Sequence, residues 1–112
     1  MKALHVSEVE KNQNPHGVEA RMFHDNEFAQ AVYLVLQPGE QLKRHSTPVD
    51  VFFYVLEGTG IVEIGEEKLE VSKDTYIDSP AKIPHCWYNE STEVLRILVV
   101  KTPRPTNPTR IL

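Results

Sequence analysis

The sequence predicts an all-β fold, a small sandwich or barrel of short strands, and three observations lead there. Segments rich in β-branched and aromatic residues recur at about the 8–12-residue spacing of all-β domains, with turn residues between them. Eight prolines against five glycines in 112 residues make a turn-rich composition. No segment carries the apolar period of an amphipathic helix.

Residues 1–17 mix charge, Asn and His and include the turn cluster Asn14-Pro15-His16-Gly17, so they are expected as an arm lying on the body. The body is expected over residues 18–101. It starts with a loose alternation over 18–24, a hairpin turn at Asp25-Asn26 and a strong strand over 28–36, ended by Gln37-Pro38-Gly39. A short strand over 41–45 and a long one over 49–56 flank Pro48, which belongs at an edge or bend because it has no N–H for a ladder. Glu57-Gly58-Thr59-Gly60 turns the chain. Residues 61–64 and 68–71 flank a hairpin at Gly65-Glu66-Glu67, and 74–78 is extended. The constrained loop 79–84 leads into 85–89, and 94–101 closes the body. The arm 102–112 is Pro-rich, with three prolines in its last ten residues; it reads as a frayed terminus or as an arm docking on its own barrel or a neighbour's.

Composition limits the function classes. A single cysteine, Cys86, excludes an intrachain disulfide framework. The formal net charge of -4, with both signs mixed along the chain, argues against a nucleic-acid or anionic-membrane partner. No apolar run reaches the roughly 20 residues of a membrane helix, and the first residues do not read as a signal peptide, so a cytoplasmic location is expected. A small-molecule ligand remains. Gly58-Thr59-Gly60 is not a phosphate loop, since no Lys-Ser/Thr follows it, and Ser46 has no partners spaced for a hydrolase.

Two spacings carry the chemistry. The first runs Gly39, His45, Thr47, Val51, Gly58; the second runs Asp74, Pro80, Lys82, His85, Asn89. In an extended strand, positions 45, 47, 49 and 51 share one face, as do His85, Trp87 and Asn89, with Cys86 and Tyr88 on the other. This arrangement resembles the two motifs of the cupins, the small jelly-roll β-barrel (double-stranded β-helix) superfamily, over somewhat under half of the chain. Both glycines and the first histidine of motif one are in register, while Thr47 and Val51 stand where the second histidine and the glutamate belong. In motif two Pro80, His85 and Asn89 match, and Asp74 and Lys82 stand at glycine positions.

The resemblance implies a cupin barrel with a pocket lined by His45, Thr47, Val51, His85, Trp87 and Asn89. It also implies a divalent transition metal (iron, manganese, nickel or zinc) held by His45 and His85. Two imidazoles make a weak site for ions that usually take three or four protein ligands. Asp50 is the nearby carboxylate; it faces away on a regular strand, and a bulge at Pro48 would turn it inward. Glu40, Glu57 and His24 read as solvated groups, Tyr33 and Tyr76 as structural aromatics. At least one face of 52–55 is assigned to packing between sheets. Lys82 is expected either to change its loop's turn or to sit left-handed, and Cys86 to be a buried inert thiol between sheets.

Three functions follow as expectations. The first is a module binding a small polar or anionic molecule with a degenerate metal set. The second is a metal-dependent enzyme of the dioxygenase, isomerase or decarboxylase kind using His45, His85 and Asp50. The third is a structural module with a vestigial pocket. Exposed edge strands and the two arms make a homodimer the expected assembly.

Overall fold

A computed structural model describes residues 1–112. Ten strands follow in order: β1 (Glu19–Asn26), β2 (Ala29–Leu36), β3 (Gln41–Ser46), β4 (Asp50–Glu57), β5 (Thr59–Ile64), β6 (Glu67–Ser72), β7 (Tyr76–Ser79), β8 (His85–Tyr88), β9 (Leu95–Thr102) and β10 (Arg110–Ile111). They form two five-stranded sheets, β1-β2-β9-β4-β7 and β10-β3-β8-β5-β6, every pairing antiparallel. This is a jelly roll. The only helical piece is a single 3-10 turn at Val6–Glu8, and no helix is long and apolar enough to cross a membrane.

Alternation decides what is inside. Along β4, Val51, Phe53 and Val55 are buried while Phe52, Tyr54 and Leu56 are less so. Along β9, Leu95, Ile97 and Val99 are the buried set. With Leu36, Val62 and Trp87 they form the core between the sheets. Phe53 and Trp87 meet edge to face at 5.4 Å between ring centroids. Burying an aromatic of this size removes about 150–250 Å² from water, which stabilises by about 4–6 kcal/mol at about 25 cal/mol/Å².

The first hairpin turns two residues later than expected. Asp25 and Asn26 belong to β1, paired with Gln30 and Ala29, and the chain reverses at Glu27-Phe28. The Asn26 side chain holds that turn by accepting hydrogen bonds from the amides of Phe28 (2.9 Å) and Ala29 (3.1 Å). The C-terminal arm docks on its own barrel: Arg110 and Ile111 pair with Ser46 and His45 and cover the free edge of β3.

Left-handed residues punctuate the motifs. Gly39 and Gly58 both have φ of 88°, and Asp74 and Lys82, at the two glycine positions of motif two, both have φ of 67°. The glycine geometry is therefore kept where the glycine is absent. A short polar Asp tolerates it readily. At Lys82 the turn is held by its amide, which donates to Thr47 O at 2.8 Å.

Candidate functional site

One irregularity positions the site. Leu42 pairs with Trp87 and His45 with His85, so β3 spends three residues where β8 spends two. This bulge lies at Lys43-Arg44, not at Pro48. It turns both Leu42 and His45 inward and frees the Lys43 peptide groups from the ladder. Both are used on imidazoles. The Lys43 amide donates to His16 Nδ1 at 2.9 Å, and the Lys43 carbonyl accepts from His45 Nδ1.

A chain of hydrogen bonds follows from that carbonyl. A carbonyl only accepts, so His45 carries its proton on Nδ1 and leaves Nε2 bare. His45 Nε2 therefore accepts from His85 Nε2–H, 2.9 Å away. His85 Nδ1, bare in turn, accepts from the Ser79 hydroxyl at 2.7 Å. The rings stand at 83° to each other, with centroids 4.3 Å apart. Burial favours the neutral rings: the His85 pKa is lowered to about 3 and that of His16 to about 4, first by desolvation, and that of His45 is lowered by the same cause.

His45, Thr47, Val51 and His85 line a cavity of about 240 Å³ at one end of the barrel, with Met22, Val32 and Phe53 on its apolar wall. Two charge-bearing or titratable neighbours join them that motif spacing does not identify. His16 comes from the arm, its ring 4.8 Å from that of His45 between centroids. Lys101 comes from the inner face of β9, and burial lowers its pKa. Continuing the parity of Ile97 and Val99 by two residues finds Lys101; no periodicity reaches His16. The cavity has no Asp or Glu in its lining. The Thr47 hydroxyl is buried without a hydrogen-bond partner.

Other residues lie elsewhere. Trp87 and Asn89 share the His85 face but sit in the packed half of the barrel, because the cavity fills only one end. Trp87 is fully buried, and its indole N–H has no partner. Asn89 is a structural clasp: its amide donates to Leu36 O (2.9 Å) and Glu93 O (2.8 Å), and its Oδ1 accepts from the Ser91 amide (3.0 Å). Asp50 is exposed and accepts from the Ala81 amide at 2.8 Å. With the bulge upstream at Lys43-Arg44, nothing turns it toward the histidines. Cys86 is buried on the outward face of β8, 3.4 Å from Glu63 Oε2 and from Tyr88 Oη, rather than between the sheets; burial raises its pKa, which leaves an unreactive thiol.

Glu57 pairs with Arg96 at 2.8 Å, Glu40 accepts from the Gln37 amide, and His24 meets Asn26. Tyr33 accepts from Arg96 on the outer face and Tyr76 is exposed. A larger groove of about 710 Å³ runs outside the barrel under Leu4, Val6 and Val9 of the N-terminal arm. None of the motif residues reaches it.

The Cupin domain family matches residues 32–101, more than half of the chain. The chain belongs to the cupin family. Its jelly roll is the cupin double-stranded β-helix, which solved structures also show. TT1209 from Thermus thermophilus has a TM-score of 0.80 at 29% identity, over 94% of this chain and 100% of that one. The polyketide cyclase RemF from Streptomyces resistomycificus has a TM-score of 0.85 at 21% identity, over 100% and 85%. Among curated proteins, uncharacterized protein MJ1618 from Methanocaldococcus jannaschii is 37% identical over 62 residues, 55% of this chain and 49% of that protein. The cupin thus spans about half the length of that curated relative.

The donor set can be weighed against the family's metal. His45 and His85 turn their Nε2 atoms on each other, Thr47 is neutral, Val51 is apolar and Asp50 lies outside. His16 accepts on Nδ1, so its neutral ring carries a proton on Nε2 and offers no lone pair there. No group of three or more His, Cys, Asp or Glu is arranged to hold a metal ion. A divalent cation would further face the Lys101 ammonium with no carboxylate to balance it. The residues of this cavity do not fit the family's metal.

Proposed function

We propose that this cupin binds a small molecule with a polar head and an apolar flank in its barrel cavity, without a metal. The observation that carries the reading is the 2.9 Å hydrogen bond between His45 Nε2 and His85 Nε2. The nitrogens that the family aims at a metal satisfy each other, while the adjoining cavity keeps an unpartnered hydroxyl at Thr47. A few polar groups against an apolar wall is the common makeup of a ligand site. Elemental analysis and equilibrium dialysis of protein purified without chelator test it. A stoichiometric transition metal that is lost when His45 and His85 are both changed to Ala would overturn the metal-free reading.

The assembly proposed with it is a homodimer in the cytoplasm. Support comes from the outer face of the β1-β2-β9-β4-β7 sheet, where Phe52, Tyr54, Leu56, Leu98 and Val100 remain partly exposed side by side. Light scattering after size exclusion should give twice the chain mass at micromolar concentration; a clean monomer would end the proposal.

A further inference from the structure

We propose that the Lys101 ammonium is the fixed positive charge of this cavity and that with the Thr47 hydroxyl it makes the cavity a receptor for small amphipathic monocarboxylates. The inference rests on the metal-free binding reading and adds the ligand's class.

Register places the lysine. Val51 occupies the position of the family's glutamate ligand, and its Cα partner across the ladder on β9 is Lys101. Both point inward. The acidic ligand has thus become apolar, and the residue beside it is a cation. Because Lys101 and the three histidines line the same cavity, its positive charge adds to the burial that keeps His16, His45 and His85 neutral.

The lysine also has spare donors and no anionic partner. An ammonium has three donors, and Lys101 Nζ makes one hydrogen bond, to Thr109 Oγ1 at 3.4 Å. Neither a salt bridge nor an acidic residue of the lining neutralises it. A half-buried charge with spare donors in an apolar-walled cavity is stabilised by an anion that accepts from it. Thr47 is the second, independent sign of an occupant. It is 2% exposed, lines the cavity, and its Oγ1 has no partner. A buried hydroxyl left so costs about 1–3 kcal/mol, which an accepting oxygen would relieve.

The rest of the lining narrows the class. The imidazoles are neutral and there is no arginine, so a phosphate dianion would meet one cation where it needs more. A carboxylate matches a single ammonium and a single hydroxyl with its two oxygens. Met22, Val32, Leu34 and Val99 then face the remainder of the ligand, which calls for an apolar tail. At about 30 Å³ per water-sized group, the cavity of about 240 Å³ takes about eight, the size of a six-carbon acid.

The test is calorimetric titration of the chelator-treated full chain with hexanoate, with hexanamide as the neutral isostere and with inorganic phosphate. Hexanoate is expected to bind at least about tenfold more tightly than hexanamide. Lys101→Met should erase that preference, while Lys101→Arg should keep it; circular dichroism checks that each variant is folded. Equal affinity for acid and amide, a preference surviving in Lys101→Met, or phosphate competing as well as hexanoate would overturn the proposal and leave the binding reading standing. Binding of neither hexanoate nor hexanamide would overturn both.

Discussion

His45 and His85 face each other across the β3–β8 ladder with their Nε2 atoms 2.9 Å apart, and Nδ1 is held by the Lys43 carbonyl at His45 and by the Ser79 hydroxyl at His85. The Lys43 carbonyl at one end of the chain makes His45 the Nδ1–H tautomer and His85 the Nε2–H tautomer. Long-range proton–nitrogen correlation spectra at neutral pH should show that pair of tautomers. Two Nε2–H rings would contradict the hydrogen-bond chain.

Acid should loosen the fold. The ordinary histidine pKa of 6.5 is lowered in the folded chain to about 3 at His85 and about 4 at His16, and it is lowered at His45 as well. Between those values the unfolded chain binds more protons, so stability is complete above 6.5 and falls as pH drops through the window. The titratable groups facing these rings are each other, Lys101 and, at His16, Lys43, and none is acidic. For His85 alone the loss at pH 5 is about 2 kcal/mol. Urea midpoints at pH 7.5 and pH 5.0 check this, and His85→Gln should flatten the difference.

Two glycines of the first motif should respond differently to alanine. At Gly58 an added Cβ would lie 2.3 Å from the Val94 carbonyl oxygen, a backbone atom, on top of a φ of 88°. Gly39 has the same φ and nothing within 4 Å. Gly39→Ala should therefore cost about 1 kcal/mol for its backbone alone, and Gly58→Ala at least about 2–3 kcal/mol. Thermal unfolding of both variants gives the comparison, and equal losses would contradict the steric account.

Replacing Asn89 should cost stability rather than binding. Its side chain ties β8 to the end of β2 and to the turn before β9 through four hydrogen bonds. Asn89→Ala removes the side-chain donor of the buried Leu36 carbonyl, while the Ser91 hydroxyl still donates to Glu93 O at 3.1 Å; it should destabilise by about 2–3 kcal/mol, with hexanoate affinity unchanged in the folded fraction.

Thr47→Val should do the reverse. Removing an unpartnered buried hydroxyl while keeping its volume should stabilise the chain by about 1 kcal/mol and weaken hexanoate several-fold. A lower melting temperature would mean that the hydroxyl has a partner within the fold.

The succession of strands along the chain and the motif frame were legible because they rest on local chemistry. Gly39 and Gly58 mark left-handed turns, and alternation along residues 49–56 and 94–101 marks the inner faces. The site was legible only as far as that alternation reached. His45, Thr47, Val51 and His85 converge as their spacing implies. Trp87 and Asn89 have the same parity but lie in the packed end, since parity gives a face and not a depth. The bulge at Lys43-Arg44 leaves no mark in residue type. The position of His16 depends on an arm crossing to β3, a contact 27 residues distant in sequence.

That crossing also shapes the cavity's rim. The cavity's rim includes Asn12–His16 near one end of the described chain and Thr109, next to β10, near the other. Pro15 O accepts from Lys43 Nζ at 3.2 Å, and Leu112 N donates to Arg44 O at 3.1 Å. Both segments are thus anchored on the two bulge residues of β3, so one irregularity of a single strand gathers the cavity's rim as well as its histidines.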